Sequence, residues 1–122
     1  MNDIKRIAMF NCLQANSCCT GKACLQAFYQ KTDSFSVYDR VNIELVVFAR
    51  CNGCQSTLEN DKGLLEKINC MLSSAIDVVH FGICTKRNGR ECELITAIGK
   101  KFEDAGISIV RGTHRARKLT DK

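Results

Sequence analysis

A chain of 122 residues that is 45% hydrophobic and 25% charged can build one domain around a single packed interior, and its composition excludes a disordered or fibrous protein. Its apolar runs fall far short of the roughly 20 residues that cross a bilayer, and its N-terminus lacks the apolar stretch of a secretory signal. The sequence therefore reads as cytoplasmic, with no membrane partner. The formal net charge of +5 comes from scattered lysines and arginines, which speaks against a nucleic-acid partner.

The first apolar run, Ile4 to Phe10, is too short for a helix and rich in residues that suit a strand. Three more follow: Ile43 to Ala49, Asp77 to Phe81 and Ile107 to Val110. Where alternation is clearest they are apolar on both sides, as strands buried on both faces of a parallel sheet are. Helical spacing appears between them over Lys22 to Gln30, Leu58 to Ser74 and Glu91 to Ala105, with Gly106 placed as a stop after the third. Residues 31–42 are polar and read as a surface loop. The order βαβαβαβ predicts an α/β fold: three layers, α/β/α, around a central, mainly parallel four-stranded sheet of flavodoxin-like or Rossmann-like type. One α/β domain is expected over residues 1–114, followed by a basic tail, 115–122, containing Arg115, Arg117, Lys118 and Lys122.

Nine cysteines, an odd number, are the unusual feature. Small secreted proteins use such density for disulfides, but this chain has apolar residues enough to build a core without them. In a reducing compartment, metal binding or redox chemistry explains them better. Metal-bound cysteine is thiolate, so four or five ligands would bring the +5 close to neutrality.

The placement of these residues is informative. Cys12 follows the first strand, and Cys18, Cys19 and Cys24 occupy the next loop and helix start. Cys51 and Cys54 follow the second strand, His80 and Cys84 flank the end of the third, Cys92 opens the helix after it, and His114 follows the fourth. Each strand thus delivers sulfur or imidazole at its carboxyl end, where open α/β sheets carry their ligand sites. Cys70, inside the second helix, is the exception and reads as an inert buried thiol.

Cys51-Asn52-Gly53-Cys54 is the sharpest local motif. Two intervening residues let both sulfurs turn toward one ion, and Asn and Gly tolerate the backbone such a turn needs. The same pair could serve as a redox dithiol. A competing motif runs from Cys84 to Arg90, the cysteine-to-arginine spacing of a tyrosine-phosphatase loop, in which amides and a guanidinium cradle phosphate while the thiolate attacks.

Taken in order, Cys12, Cys19-Thr-Gly-Lys-Ala-Cys24, Cys51-Asn-Gly-Cys54, His80 with Cys84-Thr-Lys, Cys92 and Gly112-Thr-His114 resemble the CGGC-domain proteins over residues 4–114. The chain departs from that pattern at Asn52, where the family has glycine, at Thr20, where it has proline, and at Leu94, where it has histidine. The resemblance implies a metal-binding domain and no particular reaction. It carries over Cys12, Cys19, Cys24, Cys51, Cys54, His80, Cys84, Cys92 and His114 as candidate ligands. Zinc is the expected cofactor and an iron–sulfur cluster the alternative, since thiolate-rich sites favour both over calcium or magnesium. The functional expectations are a metal-binding module, then a thiol–disulfide protein using Cys51 and Cys54, then a phosphatase using Cys84 and Arg90.

Overall fold

The computed structural model describes residues 4–13, 20–53, 55–87 and 90–113. In chain order these form β1 (Ile4–Asn11), α1 (Lys22–Gln30), a 3-10 segment (Asp33–Tyr38), β2 (Asn42–Arg50), α2 (Lys62–Leu72), β3 (Val78–Phe81), β4 (Lys86–Arg87), β5 (Arg90–Glu91), α3 (Glu93–Asp104) and β6 (Ser108–Arg111). The four long strands make one all-parallel sheet in the order β2-β1-β3-β6, and β4 and β5 form a small antiparallel hairpin. The expected α/β fold with a parallel sheet is what the chain adopts.

Right-handed crossovers fix which face each helix covers. The chain moves one way from β1 to β2 and the other way from β2 to β3 and from β3 to β6, so α1 must lie on the face opposite α2 and α3. The side chains agree. Ile7 and Met9 of β1 meet Ala27 and Phe28 of α1 with Phe35 and Tyr38. The alternate residues, Ala8 and Phe10, meet Leu64, Ile68 and Met71 of α2 and Leu94, Ile95, Ile98 and Phe102 of α3. Central position explains why Ile7 to Asn11 of β1 are buried, and all of β3 likewise. The edge strands β2 and β6 are only partly covered, so the expectation of burial on both faces holds for the two inner strands alone.

Helix ends follow local chemistry. Asp61 caps α2 by accepting from the Leu64 amide at 3.0 Å, so that helix starts later than its leucine spacing implied. α3 ends in a Schellman turn: Gly106, at φ 87°, donates to Glu103 O, and Ile107 donates to Phe102 O. Residues 31–42 are less loop-like than their polarity suggested, because Phe35 and Tyr38 anchor the 3-10 segment in the core. Cys70 is exposed, contrary to the expectation of a buried thiol. The buried stripe of α2 runs through Leu64, Ile68 and Met71, and a residue two positions from Ile68 falls on the other side.

Candidate functional site

The order of the sheet reverses between β1 and β3. Crossovers leave these two neighbours toward opposite faces, which opens a crevice beyond their carboxyl ends. Cys12 leaves β1 there and Cys84 leaves β3 through a short 3-10 turn, Ile83–Thr85. The Cys12 amide donates to the Cys84 sulfur at 3.2 Å. The next amide, that of Leu13, donates to the Cys51 sulfur at 3.3 Å. β1 lies between β2 and β3 in the sheet, so its end carries one sulfur on each flank. Cys51 is held in place because its own amide continues the β1–β2 ladder, donating to Asn11 O at 3.0 Å. Cys12 and Cys51 are buried and Cys84 is partly exposed.

The loop that begins at Cys51 is clamped from outside. The Asn52 amide nitrogen donates to Asp61 Oδ2 at 3.2 Å, and Asn52 Oδ1 accepts from Lys67 Nζ at 2.8 Å. Lys67 also reaches Arg50 O at 2.6 Å, and the Ser56 hydroxyl donates to Asp61 Oδ2 at 2.8 Å. Hydrogen bonds from the Leu64 amide foremost, then from Ser56 and Asn52, hold the Asp61 carboxyl below its ordinary range. Asn52, read from sequence as a tolerated replacement of glycine, is therefore the centre of a polar bridge between the cysteine loop and α2.

Cys92 sits at the N-terminus of α3, and its amide donates to Thr85 O at 2.9 Å. Beside it is a cleft of about 380 Å³ between the loop Ser56–Glu59 and the first turns of α3 at Glu93, Leu94 and Ala97. Together with Cys12, Cys51 and Cys84, Cys92 packs on the α2–α3 side of the sheet.

Two other candidates face away from this group. His80 is fully buried on the α1 side and stacks on Phe35 with ring centroids 4.3 Å apart. Gly112 O, 2.8 Å from Nδ1, can only accept, so the proton resides on Nδ1. Nε2 then accepts from the Tyr38 hydroxyl, also at 2.8 Å. Burial pushes the His80 pKa below its ordinary 6.5, against a smaller opposing effect of Gly112. Cys24, buried on the same side, shares a 3.2 Å hydrogen bond with the Thr113 hydroxyl. The sequence treated all strand-end sulfur and imidazole as one set. The structure divides them, because strand alternation and helix placement send Cys24 and His80 to the other face.

Cys19, Cys54 and His114 lie outside the described residues, as do Cys18 and the tail. Among the described residues no three Cys, His, Asp or Glu side chains are gathered closely enough to hold an ion by themselves. The donor chemistry at the β1 end nevertheless fits a soft metal: cysteine sulfurs from three strand ends, with amides donating to two of them, as backbone groups do at iron–sulfur and zinc–thiolate centres. Of the competing Cys84-to-Arg90 motif, Cys84 lies in the 3-10 turn, Lys86 pairs with Glu91 and Arg87 with Arg90 in the β4–β5 pair, and Asn88 and Gly89 lie outside the described residues. In a phosphatase loop the amides of the motif would turn toward the sulfur. Among the described residues of this motif, strand pairing engages the backbone of Lys86, Arg87 and Arg90.

The parallel sheet thus carries cysteine sulfurs at the carboxyl switch point between β1 and β3. The chain belongs to the CGGC domain family, whose model matches residues 6–114. No curated protein and no solved structure matches it. Among the described residues no helix is long and apolar enough to cross a membrane.

Proposed function

We propose that this protein is a metal-binding module holding zinc at the carboxyl ends of β1, β2 and β3, with Cys12, Cys51, Cys54 and Cys84 as the residues that would bind it. The reading is carried by one observation: consecutive amides at the end of β1 donate to sulfurs from two other strand ends, Cys84 and Cys51. Membership of a family to which metal binding is ascribed supports it. Four thiolates would close a structural zinc site, and the ion would supply cross-linking of three loops. Cys92 and the cleft beside it stand next to this group. His80 and Cys24 serve the fold instead, because protein partners engage them.

Elemental analysis and a visible spectrum on protein purified without oxygen test the reading. Colourless protein with about one zinc per chain is the expected result. Brown protein with iron and sulfide would replace zinc by a cluster on the same cysteines. Repeated preparations without bound metal would overturn the reading in favour of a reversible Cys51–Cys54 dithiol, which thiol trapping would then detect.

A further inference from the structure

Asn11, the last residue of β1, is 3% exposed, yet its side-chain Oδ1 has no hydrogen-bond partner. It is the buried side-chain oxygen or nitrogen left in this condition among the described residues. A buried amide oxygen without a donor is costly, and it calls for a group from outside the chain, an ordered water or a bound ion, to complete it. The surroundings of Asn11 indicate what that group is. Its backbone carbonyl holds the Cys51 amide, and Cys12 follows it in the chain. Its amide packs against Gly82, on the side where a Cβ would stand. A Cβ there would overlap the Asn11 oxygen and would lie 3.4 Å from the Cys84 sulfur. The orphaned oxygen and the Cys84 sulfur thus border the same position, and glycine at 82 leaves room for the Asn11 oxygen there.

We propose that Asn11 is part of the metal site: its side-chain oxygen is an oxygen donor to the cation held by the thiols that surround the end of β1. This inference rests on the metal reading above and puts the Asn11 oxygen in place of one of its four sulfurs, which makes the all-sulfur site a mixed sulfur–oxygen one. Zinc held by cysteine also accepts oxygen ligands, carboxylate and water among them, and the Asn11 side chain would supply a neutral oxygen in that role. A neutral amide adds no charge, so it completes coordination without adding to the negative charge of the thiolates.

Cobalt(II) is the probe, because its visible bands report the mix of sulfur and oxygen around it. It is titrated without oxygen into the reduced full chain of the wild type, Asn11→Asp and Asn11→Leu. Zinc affinity is then measured by competition with a chromogenic chelator, and the melting temperature of each metal-free chain is recorded. Asn11→Asp keeps an oxygen and is expected to shift the cobalt bands while holding or tightening zinc. Asn11→Leu keeps the size, removes the orphaned acceptor, and is expected to weaken zinc by about tenfold or more with no loss of metal-free stability. Wild-type spectra and affinity in both variants would overturn the inference. So would affinity losses in both variants that track losses in metal-free melting temperature. A wild type that takes up neither cobalt nor zinc would overturn the metal reading itself, an outcome distinct from the other two.

Discussion

On the α1 side of the sheet, Cys24 is bonded to Thr113 and His80 has both ring nitrogens engaged while it stacks on Phe35. On the α2–α3 side, Cys12, Cys51, Cys84 and Cys92 carry the same kind of chemistry at the same edge of the sheet, and backbone amides of the β1 end donate to Cys51 and Cys84. An amide can keep donating to a sulfur after that sulfur has taken an ion, whereas an imidazole whose two nitrogens are occupied must lose a partner first. Residue type marks a candidate, and the partners its polar atoms already have decide whether it is available.

The widest separation between the two sides is expected from cysteine replacements. Cys84→Ser and Cys51→Ser should lower bound zinc by an order of magnitude or more, since a structural site rarely tolerates loss of a thiolate. Cys24→Ala should leave zinc content unchanged and cost about 1–3 kcal/mol of folding free energy, because it empties a buried position and leaves the Thr113 hydroxyl without that bond. Metal analysis beside chemical denaturation distinguishes them. Equal metal loss in Cys24→Ala would erase the division between the two sides.

His80 offers the next test, through pH. Its pKa lies below 6.5 in the folded chain because burial disfavours the charged ring. As the pH falls below 6.5, the unfolded chain takes up the proton first, so the stability contributed by neutral His80 is complete above 6.5 and erodes as the pH falls through the lower folded value. Denaturation midpoints should therefore fall more steeply in mild acid for the wild type than for His80→Gln, which does not titrate. Tyr38→Phe removes the donor to Nε2 and should cost about 1–2 kcal/mol near neutrality. Zinc content should stay at the wild-type level in Tyr38→Phe, and a loss of metal there would bring His80 back among the ligands.

Much of this was legible from sequence. Short β-branched runs separated by amphipathic segments are enough to predict a parallel sheet, and strand ends followed by cysteine point to its carboxyl edge. Which face each residue takes was not legible, because it depends on crossover direction and on the final strand order. Gly106 was legible as a stop because positive φ selects glycine. Asp61 was missed because leucine spacing extended α2 backward through a turn. Asn11 carried no sequence signal, since an asparagine at a strand end is common and its missing donor exists only in three dimensions. Tyr38 was passed over inside a polar stretch whose two aromatic anchors are spaced for a 3-10 turn.

The smallest expected effect concerns the bridge around Asn52. Its side chain joins Asp61 on one side and Lys67 on the other, so the backbone between Cys51 and α2 has few alternatives. Asn52→Gly restores the family's glycine but releases both contacts and increases the freedom of the loop before binding. A ligand loop that must be ordered on binding costs affinity, here about severalfold by the usual worth of two exposed hydrogen bonds. Chelator competition should therefore show zinc bound slightly more weakly in Asn52→Gly, with faster exchange and unchanged stoichiometry. Lys67→Met removes one half of the bridge and should lie between that variant and the wild type. If both variants bind zinc with wild-type affinity, the clamp stabilises the start of α2 and leaves the thiols untouched. The rigidity of the α2–α3 side would then come from the β1 amides alone.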